Sequence, residues 1–179
     1  MEGRRSRKEL LVGVLDWVRR FFERGIVPRE PVTLRPVAVV RNGILEPRMG
    51  GWQDVRSDII VRQDLEPALD GIDSYSHLIV VFYMQRVPEH EKERTHVHPR
   101  GDPRYPLQGV LATRTPRRPN PIGVAVVPLL RRRRNILRVR GLDALDGTPV
   151  LDLKPYLPQY DSVPDARLPE WATEPPEER

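Results

Sequence analysis

Proline constrains this chain more than any other residue does. Twenty of the 179 positions are proline. A residue with φ fixed and no N–H to donate is excluded from helix interiors and from central strand positions. The intervals between prolines hold short β-branched and aliphatic runs bounded by Gly, Asp and Asn, the texture of strands and turns. Strands are expected over 34–41, 57–62, 76–84, 108–113, 122–130, 136–141 and 149–153. Many short strands at close spacing predict a mainly β chain, a barrel or sandwich rather than a parallel sheet with alternating helices.

The first residues differ in texture. Ser6-Arg7-Lys8-Glu9 is a capping box, and Leu11, Val14, Leu15, Val18 and Phe21 or Phe22 follow at helical spacing up to Gly25. An amphipathic helix is expected over 7–24, with residues 1–33 forming that helix and a linker, 34–163 the β domain, and 164–179 an acidic, Pro-rich disordered tail. The segment 64–71 is at most a short helix with Pro67 in its first turn, and 85–107 reads as a long loop of functional origin. At 39% hydrophobic and 31% charged the chain can bury a core. Cysteine is absent, which excludes disulfides, thiolate metal sites and cysteine nucleophiles. No apolar run is long enough to span a membrane, and Asp16, Arg19 and Arg20 break the signal-peptide pattern, so a cytoplasmic location without membrane contact is expected.

Charge is distributed unevenly. The net charge is +5, yet the forty residues from Pro103 to Leu142 contain ten arginines and no acidic residue, so the remainder is net acidic. Arginine's planar fork suits phosphate and carboxylate. A local field of this sign favours a polyanion, nucleic acid first. His96-Val97-His98, with His90 and Asp102 nearby, lacks the converging ligand set of a metal site, and no metal is expected. Neither a P-loop, nor a Gly-x-Gly-x-x-Gly turn, nor a Gly-x-Ser-x-Gly elbow occurs.

Two stretches are dense in chemistry. Gly109 to Gly123 includes Arg114-Thr115-Pro116-Arg117-Arg118-Pro119-Asn120-Pro121, a stiff non-helical turn that presents three arginines at low ordering cost. Gly141 to Tyr156 contains Asp146-Gly147, read as a hairpin turn, with Asp143 and Asp152 on the flanking strands and Asp152 able to pair with Lys154 on one face.

These stretches resemble the TsaA/TrmO family of S-adenosylmethionine-dependent tRNA N6-methyltransferases. The likeness rests on Ala112-Thr113-Arg114, Arg118-Pro119-Asn120-Pro121-Ile122-Gly123, Asp146-Gly147-Thr148-Pro149-Val150 and Asp152-x-Lys154-Pro155-Tyr156. Pro47-Arg48, Ser76-His77-Leu78 and His98-Pro99-Arg100-Gly101-Asp102 support it. Thr115 stands where the family usually has Ser, and the N-terminal helix lies outside the match. The resemblance implies a small non-Rossmann β-barrel, acting as a homodimer on N6 of threonylcarbamoyladenosine at tRNA position 37; with the helix read from its own periodicity, the expected fold is that barrel with an N-terminal α-helix and long loops. Longer members carry a further C-terminal domain that helps hold tRNA.

By motif, the implied S-adenosyl-L-methionine contacts are Gly50, Gly51 and Trp52, then Gln85 and Arg86, then Arg114 and Val124, then Leu142 and Asp143. Arg100, Arg117, Arg118, Asn120 and Lys154 are implied for the anticodon loop of tRNA. Methyl transfer from a sulfonium is an in-line displacement that rests largely on positioning. Carbamoylation acidifies the adenine N6–H, so a modest base, or even water, suffices; Asp143, Asp146 and Tyr156 are the candidate residues, and the sequence does not choose among them. Two other readings keep the barrel: a methyltransferase of small molecules, and a non-catalytic S-adenosylmethionine- or RNA-binding accessory.

Overall fold

The computed structural model describes residues 30–48 and 50–173, and the helix expected over 7–24 lies outside the described residues. One compact unit begins at Arg35. It contains eight strands: β1 (Ala38–Arg41), β2 (Arg56–Val61), β3 (His77–Tyr83), β4 (His96–Val97), β5 (Gln108–Gly109), β6 (Ile122–Arg133), β7 (Ile136–Arg140) and β8 (Pro149–Pro155). Six of them close into a barrel in the order β1-β2-β7-β6-β3-β8, while β4 and β5 form a separate ribbon. Every pairing is antiparallel.

The barrel follows from period-two patterning. Val40 on β1, Ile59 on β2, Leu78 and Val80 on β3, Leu137 on β7 and Val150 on β8 are wholly shielded from solvent, and their sequence neighbours point outward. Each fully buried aliphatic of this size contributes about 1.5–3 kcal/mol, and closure leaves no sheet edge across which the register might slip. β6 is long because a bulge between Leu129 and Arg131 bends it from β3, which it pairs with first, onto β7.

Several expectations change. β1 begins at Ala38 rather than 34, just beyond Pro36. The strand expected over 108–113 is only Gln108–Gly109, followed by a 3-10 turn at Val110–Ala112, so it is no barrel stave. The long loop carries local order: an α-turn at Glu89–Lys92, β4, and a 3-10 turn at Pro99–Gly101. Pro67 lies inside a 3-10 segment, Gln63–Leu69. In the stretch read as a disordered tail, Glu170–Thr173 forms one helical turn.

The largest correction concerns Asp146-Gly147. β7 and β8 are not neighbours in the barrel, so 141–148 is no hairpin. Gly141 leaves β7 with φ +80°, a conformation open mainly to glycine, and the chain then crosses the barrel end above β2 and β1. Leu142 and Ala144 drop into the interior as a plug.

Gly123 shows how tightly this end is packed. It faces inward opposite Phe82, and a Cβ there would stand 2.3 Å from the ring's Cζ. Gly123→Ala is expected to destabilise by about 1–3 kcal/mol in chemical denaturation. Adding Phe82→Leu should recover part of the loss, because the three nearest atoms to that Cβ all belong to the Phe82 ring.

Candidate functional site

Strand direction decides where the site residues fall. β1, β3 and β7 end at the rim from which β2, β6 and β8 begin, so segments 42–55, 84–121 and 141–148 all emerge together there. Gly50, Gly51, Trp52, Gln85, Arg86, Arg114, Leu142 and Asp143 therefore belong to loops of one barrel end, although up to about ninety positions separate them in sequence.

Local contacts hold these loops. Asn42 donates from Nδ2 to Ser57 Oγ (3.1 Å) and to the Ala144 carbonyl (2.9 Å), while its Oδ1 accepts from Ile44 N–H (3.0 Å). Asp146 Oδ1 accepts from the N–H groups of Asn42 (2.8 Å) and Gly43 (3.1 Å), and Oδ2 from Arg41 Nη1 (3.1 Å). The crossing segment is thus tied to the loop after β1. In that loop Arg48 donates to the Gly51 carbonyl and lays its guanidinium 4.8 Å from the centre of the Trp52 ring, while Trp52 Nε1 donates to Arg48 O at 3.3 Å. Gly51 has φ +70°. Arg86 bridges from the end of β3 to the Leu45 carbonyl and approaches Glu46 at 3.6 Å.

The proline-rich turn is pinned as well. Thr113 Oγ1 accepts from Thr115 N–H and Thr115 Oγ1 from Arg117 N–H, both at 3.3 Å, so Thr115 uses the hydroxyl that a serine would supply. Pro121 is fully buried and its carbonyl accepts from Met84 N–H at 2.8 Å. Arg114 and Asn120 stand exposed on this scaffold.

Two aspartates of the crossing segment titrate in opposite directions. The carboxyl of Asp143 is pushed above its ordinary value by removal from water, and its own backbone N–H and the charge of Arg114 pull it back. The residue is exposed at the rim, near enough to Arg114 for the two charges to interact. Asp146 is held below the ordinary range by the N–H groups of Gly43 and Asn42 and by Arg41. Divergent environments of this kind separate a proton-exchanging carboxyl from a structural one. Asp143 is suited to exchange; Asp146 has both oxygens occupied.

The remaining expected residues differ in where they fall and what they touch. Tyr156 follows β8 at the opposite end of the barrel, where its N–H donates to His77 O (3.0 Å) and its ring meets that of His77 edge-on at 6.4 Å. Within one chain it is remote from Asp143, which removes it as a base there. Lys154 faces outward near that far end and pairs with Asp152 at 2.6 Å. The side chain of Leu142 belongs to the core, leaving only its backbone for a ligand. Val124 faces outward on β6 and is 54% exposed. Arg117 lies 3.4 Å from Glu91, which Arg94 also engages, and Arg118 reaches the Thr113 carbonyl at 3.5 Å. Arg100 donates to the hydroxyl of Tyr105 at 3.1 Å. Asn42 and Glu91 were not foreseen; the Asn42-Gly43 dipeptide was the available signal for the first, and nothing in the pattern marked the second. Among the described residues no cluster of three or more potential metal ligands occurs, and no helix is long and apolar enough to cross a membrane.

A closed six-stranded antiparallel barrel with a cationic and carboxylate-bearing rim defines the fold class. The comparisons place the chain within that class. Residues 42–162 match the family described as the tRNA-methyltransferase O N-terminal domain, and the chain belongs to this family. It is 43% identical over 141 residues to an Archaeoglobus fulgidus protein named a probable S-adenosyl-L-methionine-binding protein, covering 76% of this chain and 37% of that one. It is 35% identical over 152 residues to the Escherichia coli tRNA (adenine(37)-N6)-methyltransferase, covering 82% and 57%. The crystal structure of TrmO from Pseudomonas aeruginosa superposes with a TM-score of 0.67 at 30% identity, covering 84% of this chain and 65% of that one. The chain thus spans between about a third and two thirds of these three proteins.

Removing Asp146 should cost stability without a direct effect on chemistry. Asp146→Ala is expected to lower unfolding free energy by about 1–3 kcal/mol near neutral pH. The carboxyl is held below its ordinary value, so its stabilisation is complete above the ordinary carboxylate range and disappears as pH falls through the depressed value. Denaturation of wild type and variant across acidic pH should therefore show the two curves converging.

Proposed function

We propose that the chain is the methyl-transferring barrel of an S-adenosyl-L-methionine-dependent tRNA methyltransferase that acts on N6 of threonylcarbamoyladenosine at position 37, in the cytoplasm and as a homodimer. The observation carrying this reading is the convergence of Arg114 and Asp143 on one rim, close enough for their charges to interact, from motifs about thirty positions apart.

The rim chemistry fits the cofactor. A partly shielded carboxylate at Asp143 complements a sulfonium or ammonium, Arg114 and Arg86 complement a carboxylate, and the Trp52 face is suited to stack an adenine. Bound there, S-adenosyl-L-methionine supplies an electrophilic methyl whose C–S bond breaks as the N6–C bond forms, leaving a neutral thioether. The protein's work is to align the acceptor nitrogen with that methyl, to exclude water, and to receive the N6 proton. We assign that last step to Asp143, whose raised pKa makes it a stronger base than an ordinary aspartate.

The dimer reading draws support from the outer wall of β6 and β3. Ile122, Val124 and Val126 are 36%, 54% and 51% exposed, and half-buried Ile79 and Val81 flank them on the neighbouring strand. An apolar stripe of this kind suits a second copy of the same stripe across a two-fold axis. Val124→Asp is expected to turn a dimer into a monomer in sedimentation velocity.

Calorimetric titration with S-adenosyl-L-methionine, followed by nucleoside mass spectrometry of hypomodified tRNA incubated with it, tests the activity. Stoichiometric binding and N6-methylated threonylcarbamoyladenosine are expected. Arg114→Gln and Asp143→Asn should each lower kcat/KM by roughly ten- to a hundredfold, the loss of one charge-assisted contact. Binding without methylation of any tRNA pool would overturn the reading in favour of an accessory protein, and methylation confined to small acceptors would move the substrate class.

A further inference from the structure

The arginine run 131–134 lies mostly within a strand rather than in a turn. β6 continues through Arg133, leaving only Arg134 and Asn135 to make the turn into β7. The run is therefore sorted by strand geometry. Arg132 points to the barrel's lower mouth, where its guanidinium donates to the carbonyls of Leu69 (2.9 Å) and Glu66 (3.4 Å) and pairs with Asp70 and Asp73. Arg131 and Arg133 point outward instead.

On that outer wall they meet further arginines. Arg131 is the cross-strand partner of Arg138, Arg138 of Asp58, and Arg140 of Arg56. Five arginines on three adjacent strands thus share one face with a single acid, Asp58. Arg138 claims that acid through two bonds of 2.7 Å, and Arg131 lies near enough to lower its pKa further. Arg56, Arg131, Arg133 and Arg140 have no ion-pair partner among the described residues. Arg56 and Arg140 stand directly opposite each other, a like-charge pair that opposes folding. At the hairpin tip Arg134 holds φ +53°, a conformation that favours glycine or asparagine. Among the described residues only Asp58 offsets this concentration of charge.

The face also has a direction. Its Arg56–Arg140 end abuts the rim: Gly141 N–H donates to the Val55 carbonyl at 2.9 Å, next to Trp52 on one side and Asp143 on the other. Outward positions two residues apart lie roughly 6.8 Å from each other along a strand, and neighbouring strands about 4.8 Å apart, so the charges form a band running from rim to hairpin.

Resting on the tRNA reading above, we propose that the outer face of β2, β7 and β6 is a phosphate-backbone track, along which Arg56, Arg140, Arg131 and Arg133 hold the stem of the acceptor RNA while its modified base enters the rim. Unpaired guanidinium forks on a rigid sheet bind successive phosphates with little ordering cost, and release of counterions drives the association.

Fluorescence anisotropy of a labelled anticodon stem–loop RNA across a KCl series tests this. Arg56→Gln/Arg140→Gln and Arg131→Gln/Arg133→Gln should each weaken binding by about an order of magnitude at moderate salt and reduce the salt slope by about two. S-adenosyl-L-methionine affinity should stay unchanged in both. The thermal midpoint of the first variant should hold or rise, since a like-charge pair is removed. A control with the same charge loss elsewhere, Arg35→Gln/Arg167→Gln, should leave the slope at its wild-type value. Wild-type RNA affinity and slope in the two face variants would overturn the track and leave the tRNA reading standing, and so would an equal loss in the control. Absence of RNA binding by the wild-type protein that still binds S-adenosyl-L-methionine would overturn the tRNA reading and the track with it.

Discussion

The rim depends on one tie, the hold that Asn42 and Asp146 keep on the segment crossing the barrel end. A closed antiparallel barrel leaves its two mouths to be sealed by whatever connects the staves. Here the upper mouth is sealed by a crossing chain that must bury Leu142 and Ala144 while holding Asp143 at the surface. Asn42 accomplishes this by bridging Ser57 on the wall to the Ala144 carbonyl above it. Asp146 completes it by satisfying the N–H groups of the neighbouring loop with a carboxylate. Without these contacts the crossing chain has apolar anchors but no defined height.

From that tie the division of labour on the rim follows. One aspartate is saturated with donors and is structural, while its neighbour three positions earlier has few donors and keeps a raised affinity for protons. The proline-braced turn then brings Arg114 toward the second without itself entering the core beyond Pro121. The rim is thus built from rigid pieces that approach one another rather than from a continuous motif, as a positioning catalyst requires.

Most of the staves were legible in the sequence because period-two burial leaves a direct trace, as in Leu78, Val80 and Phe82 or Leu137 and Val139. The order of the staves left no such trace. Asp146-Gly147 carries the composition of a tight hairpin, and only the barrel's closure, a non-local constraint, shows that it crosses two strands instead. Nor does the sequence show that Tyr156, one of the candidate bases, follows β8 at the end of the barrel away from Asp143. Arg114 and Asp143 were singled out through motif resemblance, whereas Asn42, whose effect is exerted through hydrogen bonds to Ser57 and to distant backbone, has no periodic signature. The arginine run was visible as charge, but its division into one half-buried latch and two outward side chains is a property of the β6 register.

The bulge at Leu129 makes β6 a single strand with two vocabularies, aliphatic on the stretch beside β3 and cationic on the stretch beside β7. Side chains alternate sides at every residue, so losing or gaining one residue at this kink would invert everything downstream: Arg132 would swing to the exterior and its neighbours would be driven into the hydrocarbon interior. Length at this point is therefore frozen even where residue identity is free to drift, and descendants of this barrel can retune either surface by exchange of side chains but not by insertion or deletion.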